Sequence, residues 1–240
     1  MSLPTPYYEH AGIVIYRGSC QEILPFVQRG YVLLTDPPYG VELGTSDSRG
    51  DGHGLAKVGY LSYEDTTLNF ETLVVPILTL GIECAVRGAV FVGKRTNRLP
   101  NPACIGGIYC PSAVGRNPFG FTNLMAVFFY GHDPTLFTKG AQHTVRMSTE
   151  IAERNGHPCP KPLGWMKWLV GIVSELGETI VDPFMGSGTT LLAAKQLGRR
   201  AIGIEIEERY CEIAVKRLAQ EVLPLEPPSL EPEQTELLDQ

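Results

Sequence analysis

An α/β fold is predicted here: one doubly wound, mostly parallel sheet with helices on both faces. Three observations predict it. At Tyr31–Thr35 an apolar, β-rich run meets a sharp polar break at Asp36, the pattern of a buried strand ending at a ligand-facing edge. Residues 179–219 read as strand, glycine loop, helix, strand and helix, a crossover unit. The 240 residues are 43% hydrophobic and 19% charged, enough for one sizeable core.

The break after the first run is Asp36-Pro37-Pro38-Tyr39-Gly40. The two prolines fix φ and donate no backbone hydrogen bond. They leave carbonyls free and hold Asp36 and Tyr39 in one geometry. An acceptor pair beside an aromatic platform suits a flat ring carrying an NH2 group. By itself the pentapeptide also reads as a strand followed by a Pro-Gly turn.

The remaining elements follow in order. Residues 1–10 read as a loose arm, Ile13–Arg17 as a short strand, and Ser19–Gln28 as a short helix or turn with Ser19 as a cap. Val41–Tyr60 is rich in glycine and polar residues without periodicity, which reads as a lid beside the site. Glu64–Arg87 is a predicted long helix, kinked at Pro76. Gly88–Gly93 is a buried strand that opens into the cationic run Lys94-Arg95-Thr96-Asn97-Arg98, either a solvated loop or a phosphate contact. Ile105–Cys110 and Leu124–Tyr130 are strands, with a turn at Arg116-Asn117-Pro118 between them. Gly131–Pro160 is loop-like and carries Lys139, His143, Arg146 and Arg154. Leu163–Leu176 has helical spacing, with Trp165, Trp168, Leu169, Ile172 and Val173 on one face.

The second motif is Asp182-Pro183-Phe184-Met185-Gly186-Ser187-Gly188-Thr189-Thr190. Its glycines let the backbone pass close to a bound ligand. Glu205 ends the next strand seventeen residues after Gly188, a spacing that fits a ribose whose hydroxyls need an acceptor. No Gly-Lys-Ser/Thr follows, which disfavours a phosphate loop of the nucleotide-hydrolase type.

Bulk charge excludes little. The net charge is −6, but residues 221–240 carry six acids and no Lys or Arg, so residues 1–220 are neutral overall. That body is compatible with a nucleic-acid partner. The acidic, Pro-rich tail 221–240 is expected to be disordered, leaving 1–220 as one domain. The six cysteines form no CxxC pair, and a reduced cytoplasmic protein accounts for them. Cys104, Cys110, His157 and Cys159 are a conceivable zinc set whose spacing matches no regular pattern. The N-terminus has no basic region followed by an apolar one. The apolar segment Leu73–Val86 contains Pro76 and Glu83 and is too short and polar for a bilayer.

Together the two motifs resemble those of the amino-methylating DNA methyltransferases that use S-adenosylmethionine. Residues 36–40 look like the family's catalytic motif, and 182–190 look like its cofactor loop. The catalytic motif comes first in the chain, the permuted order of the family's β class. The resemblance covers roughly residues 12–218. It implies a Rossmann-like methyltransferase sheet with one antiparallel strand, for which Leu124–Tyr130 is the candidate. It implies Asp36, Pro37, Pro38 and Tyr39 as catalytic residues. It also implies cofactor contacts from Asp182, Pro183, Phe184, Gly186, Ser187, Gly188, Thr189 and Glu205, and from Asp36. His157-Pro158-Cys159-Pro160-Lys161-Pro162 resembles the segment that contacts the methionine end, which nominates Lys161 and Pro162. The chain departs from the family at Gly18-Ser19-Cys20, where Gly-Asp is common, so Ser19 stands in the place of a cofactor contact. Only about twenty-six residues separate Tyr130 from His157, which leaves no room for a large target-recognition insert.

The implied reaction moves a methyl group onto the exocyclic amino group of a base extruded from duplex DNA. Hydrogen bonds to the Asp36 carboxylate and the Pro37 carbonyl would localise the amino lone pair, while Tyr39 stacks on the base. The sulfonium donor is already activated, so no metal is required. Asp in the first motif position implies N6 of adenine over N4 of cytosine. Lys94, Arg95, Arg98, Lys139 and Arg146 are the candidate DNA contacts, and a homodimer is possible. The same motifs leave open RNA or protein-amide methylation, and a binding module that has lost the chemistry.

Overall fold

The structure is a computed structural model, and it describes residues 2–41, 63–93, 98–134 and 142–220. Nine strands form the main sheet. They are β1 (Tyr8–His10), β2 (Ile13–Arg17), β3 (Val32–Thr35), β4 (Arg87–Phe91), β5 (Cys104–Tyr109), β8 (Leu124–Tyr130), β9 (Val145–Met147), β10 (Thr179–Asp182) and β11 (Arg200–Glu205). A separate hairpin joins β6 (Gly115–Asn117) to β7 (Gly120–Thr122). The spatial order is β1-β2-β11-β10-β3-β4-β8-β5-β9.

Strands β2, β11, β10, β3 and β4 run parallel, and β8 is antiparallel to both its neighbours. The reversed strand is therefore the one expected. β1 adds a second, pairing antiparallel with β2 at the edge, so the stretch read as a loose arm is partly strand. Three residues with an exposed-side pattern give too little periodicity to mark it. β9 is likewise a strand inside the stretch read as loop, held by parallel pairing to β5. The turn expected at 116–118 falls at 118–119, because Arg116 and Asn117 pair with Phe121 and Gly120 in the β6–β7 hairpin.

Both sheet faces are covered, as the unbroken burial of β3 requires. Alternation along β3 sends Val32 and Leu34 to one face and Leu33 to the other. Helices α3 (Leu163–Val173), α4 (Thr189–Gln196) and α5 (Glu208–Ala219) pack the first face through Trp165, Met166, Leu169, Leu191, Ala194, Cys211 and Ala214. The second face is packed by the short α1 (Cys20–Ile23) and by α2 (Thr67–Cys84), through Ile23, Phe70, Val74, Ile77 and Leu78. α2 is long and apolar enough to cross a membrane by length and composition. Here its apolar stripe lies in the core.

α2 is shorter than the predicted 64–87. Phe70–Val74 forms a π-helical turn directly before the segment that starts at Val75. Pro76 thus stands just after a widened turn, a local adjustment compatible with a residue that lacks an N–H.

β10 lies between β11 and β3, and the chain leaves it in one direction while β3 leads on to β4 in the other. That is the topological switch point of a doubly wound sheet, where ligands bind beyond the strand carboxyl ends. Both sequence motifs begin at this crevice, although 146 positions separate Asp36 from Asp182 in the chain. The expectations for the 42–60 lid, for Lys94, Arg95 and Lys139, and for the 221–240 tail lie outside the described residues.

Candidate functional site

The floor of the crevice is a buried carboxylate. Asp182 is 2% exposed. Its Oδ1 accepts from Thr35 Oγ1 at 2.7 Å and from the Phe184 amide at 3.1 Å, and its Oδ2 accepts from Thr190 Oγ1 at 2.5 Å. Burial pushes its carboxyl up to about 6, against these three donors, which hold it down. Both oxygens are spent on the protein. Asp182 thus builds the loop that follows it and ties β10 to β3.

The glycine loop above it is held from two sides. Gly186 and Gly188 have φ of +51° and +76°, conformations that glycine adopts without strain. A Cβ on Gly186 would stand 2.7 Å from His157 Nε2, and one on Gly188 would stand 2.7 Å from Ala214 Cβ. Gly188 is therefore demanded by packing against α5, and Gly186 by the approach of residues 155–161. Asn155 Nδ2 donates to Ser187 Oγ at 3.0 Å. Arg217, on the buried side of α5, donates to the Ser187 carbonyl at 2.7 Å and to Thr189 Oγ1 at 3.0 Å. Ser187 and Thr189 so use their polar groups to shape the loop. Pro183 is buried, and Phe184 keeps part of its surface.

Glu205, at the end of β11, closes the loop from the next strand. Its Oε2 accepts from the Gly186 amide at 3.0 Å and its Oε1 from the Glu207 amide at 2.8 Å. Burial raises its carboxyl to about 7, outweighing those backbone donors. Ser19 sits at the adjacent strand end, where the Gly18 amide donates to the Glu205 carbonyl at 2.9 Å. Its hydroxyl accepts from the Gln21 amide at 3.3 Å as the cap of α1.

His157 opens the segment 157–162 and stands against Gly186 of the glycine loop. Its Nδ1 accepts from the Cys159 amide at 3.2 Å, and its ring meets Tyr210 edge-on at 4.6 Å. Burial depresses its pKa to about 4, so the imidazole is neutral near pH 7.

On the β3 side, one Asp36 oxygen accepts from the Tyr39 hydroxyl and the other from Lys161 Nζ. The ion pair is only 12% and 21% exposed at its two side chains. Lys161 therefore meets the carboxylate that opens the first motif, a contact that the resemblance did not imply. It also lies 5.4 Å from the Phe91 ring centroid. The Tyr39 ring packs over Gly93, where an added Cβ would come within 3.0 Å of it. Pro37 is buried. Pro162 is buried too and starts α3, its carbonyl accepting from the Trp165 amide at 3.1 Å.

The crevice thus brings together Asp36, Tyr39, Lys161, His157, Gly186 and Glu205. Arg98 stands apart on the surface, paired with Glu71 at 2.9 Å. Arg146 donates to the Gly164 carbonyl and to Glu150, both at 3.1 Å, and anchors β9 to α3. The four candidate zinc ligands are not assembled. Among the described residues no three His, Cys, Asp or Glu side chains gather to hold a metal.

Sequence reasoning missed Thr35, Asp65, Asn155 and Arg217. Arg217 left a trace, a charged residue three positions after Ala214 on the apolar stripe of α5. Asp65 left none, because its partners lie 24 and 25 residues away.

Comparison with known proteins agrees with this geometry. Residues 127–216 match the family model described as DNA methylase. The chain is 46% identical over 77 residues to the Type II methyltransferase M.HindIII of Haemophilus influenzae, covering 32% of this chain and 24% of that protein. It is 38% identical over 91 residues to M.ScaI of Streptomyces caespitosus, covering 38% and 30% respectively. It is 48% identical over 65 residues to M2.DpnII of Streptococcus pneumoniae, covering 27% and 24%. The matches thus span less than a third of each relative. Among solved structures, M1.HpyAVI superposes with a TM-score of 0.60 at 21% identity, over 87% of this chain and all of that one. The cytosine-N4-specific PvuII DNA methyltransferase superposes with 0.64 at 14% identity, over 91% and 90%. These two share the fold.

Proposed function

We propose that the chain is an amino-methylating DNA methyltransferase, a reading supported by its partial matches to DNA methylases, and that it transfers a methyl group from S-adenosylmethionine to an exocyclic amino group of duplex DNA. The observation that carries this reading is the meeting of Asp36-Pro37-Pro38-Tyr39 with the 182–190 loop across the β3–β10 switch point.

The crevice fits the cofactor. Its glycine loop leaves no room for a Cβ at Gly186. The Glu205 carboxylate at the next strand end is an acceptor of the kind a ribose diol needs. When bound, S-adenosylmethionine supplies a methyl group already activated on a sulfonium. The chain's own residues do the rest. Phe184 and Gly186 shape the pocket, and Glu205 orients it. In the resting site the Tyr39 hydroxyl occupies one Asp36 oxygen. An incoming amino group takes that oxygen, and the Tyr39 ring then serves as the stacking platform. Lys161 keeps the other Asp36 oxygen and holds the carboxylate in place. The amino group donates to Asp36 and to the Pro37 carbonyl, so its lone pair is freed toward the methyl group, and the proton that the methylated nitrogen must shed leaves along its hydrogen bond to Asp36 and on to solvent. Catalysis is then positioning and electrostatics.

Asp36 at the head of the motif supports adenine N6 over cytosine N4. Lys94, Arg95 and Lys139 are the phosphate contacts in this reading, joined by Arg98 when it gives up its exposed pair with Glu71. The six free thiols support a reducing, cytoplasmic setting. A homodimer would use the outer sheet face, where Ile105, Tyr109, Leu124, Val145 and Met147 are exposed.

Incubation with S-adenosylmethionine and unmethylated duplex DNA, followed by nucleoside mass spectrometry, tests the reading. N6-methyldeoxyadenosine is expected. N4-methyldeoxycytidine would keep the mechanism and reverse the base. No modified base, with cofactor still bound, would bring RNA or protein substrates forward.

A further inference from the structure

The catalytic turn has a structural deficit. Pro37 and Pro38 carry no N–H, so the turn cannot build its own backbone ladder. Its next donors need an acceptor from elsewhere. Asp65 supplies it. This carboxylate is 3% exposed. Its Oδ1 accepts from the Gly40 amide at 2.7 Å and its Oδ2 from the Val41 amide at 3.2 Å.

Asp65 is itself held on a rigid base. The next residue, Thr66, caps α2, its Oγ1 accepting from the Asn69 amide at 3.2 Å. Asn69 Nδ2 donates to the Glu64 carbonyl at 2.8 Å. Gly40 presses onto the same base. Its φ is +66°, and a Cβ there would stand 2.8 Å from Phe70 Cβ and 3.0 Å from the Thr66 carbonyl. Tyr39 directly precedes this clasp. With Gly40 fixed on one side and Pro38 on the other, the Tyr39 ring is set over Gly93 and its hydroxyl on Asp36.

We propose that Asp65 is a positioning residue of the reaction. It holds the Gly40 and Val41 amides, and so places the Tyr39 ring and the Asp36 carboxylate for an incoming base. The proposal rests on the methyl-transfer reading above. It assigns a role in transfer to a side chain that belongs to neither motif and reaches the first through the Gly40 and Val41 amides.

The test is Asp65→Asn, which keeps the size but sets an NH2 against one of the two amides. The variant is compared with wild type in three measurements: cofactor affinity, kcat on duplex DNA, and hydrogen exchange at the Gly40 and Val41 amides. Cofactor affinity within about twofold, kcat lower by about tenfold or more, and faster exchange at both amides are expected. Partial recovery of kcat in Asp65→Glu is expected as well, because both acceptor oxygens return. Wild-type kcat in Asp65→Asn, or a loss that follows cofactor affinity, overturns the proposal. Amide exchange separates the two readings. If the wild-type protein methylates no DNA, the function falls, and unchanged protection at Gly40 and Val41 in the variant would sink the clasp on its own account. Should Asp65→Asn not fold, the same three measurements on Asp65→Ser decide, with wild-type values throughout counting against the proposal.

Discussion

Thr35 donates its hydroxyl to Asp182 across 2.7 Å, joining the strand that carries one motif to the strand that carries the other. Thr35 is fully buried, so this bond has no water to replace it. Thr35→Val keeps the shape and removes the donor. Asp182 Oδ1 is then left with the Phe184 amide alone. The expected cost is about 1–3 kcal/mol of stability, which lowers the melting temperature by about 2–4 °C per kcal/mol. Cofactor affinity should fall with it, since Asp182 shapes the loop. Thr35→Ser should recover both. Calorimetric melting and equilibrium binding of S-adenosylmethionine check this, and an unchanged melting temperature in Thr35→Val would refute the coupling.

The two loop glycines should fail in different ways. Gly186→Ala sets a Cβ against His157, which borders the crevice. Gly188→Ala sets one against Ala214 on α5, away from it. The first should cost cofactor affinity by about tenfold or more while the protein stays folded. The second should cost about 1–3 kcal/mol of stability through overpacking. Isothermal titration and thermal melts on both variants separate the outcomes. Unchanged cofactor affinity in Gly186→Ala would mean that this glycine does not border the ligand.

Lys161 is open to a direct decision between two roles. The sequence nominates it for the cofactor, and the structure sets it on Asp36. Lys161→Met keeps an unbranched side chain and removes the ammonium, whose Nζ stands 5.4 Å from the Phe91 ring centroid and 6.0 Å from that of Tyr39. Turnover should fall about tenfold or more, while cofactor affinity changes by less than about twofold. Asp36→Ala should lose transfer altogether with the cofactor still bound. A Lys161→Met variant with normal kcat and weakened cofactor binding would return the residue to its sequence-based role.

Two groups in the crevice titrate with opposite sign. Glu205 rises from 4.5 to about 7 on folding. The folded protein then keeps a proton that the unfolded chain releases, so stability from this group is present below about pH 4.5 and is lost as pH rises through about 7. His157 falls from 6.5 to about 4. Here the unfolded chain takes up the proton, so stability is present above 6.5 and is lost as pH falls through about 4. Relative to wild type, Glu205→Gln should gain stability from about pH 5 to pH 8, and His157→Gln should gain it from about pH 6 down to pH 4. Cofactor affinity of the wild type should strengthen as pH rises through about 7, when Glu205 becomes a full acceptor. Melting curves and binding isotherms across that range check both signs.

Much of this molecule is legible in its one-dimensional form. The buried runs at 32–35 and 179–182 are apolar with a polar terminus, and a strand that stops at an acid declares its edge. The glycine loop, the acid at 205 and the amphipathic final helix follow from spacing alone. Short strands such as Tyr8–His10 and Val145–Met147 escape, because three residues stabilised by pairing to a neighbour carry no period of their own. Local chemistry therefore determined the element types and the two motifs, while the expectation of a reversed strand at Leu124–Tyr130 came from the family resemblance and its direction from the pairing with β4 and β5. Only the tertiary structure decided which residues serve the motifs from a distance: Thr35 under Asp182, Arg217 beneath Ser187, Lys161 on Asp36, and Asp65 on Gly40. The physical reason is that a buried polar group must find a partner wherever the fold supplies one. Contacts across 25, 30, 125 and 147 positions leave no mark in any local window.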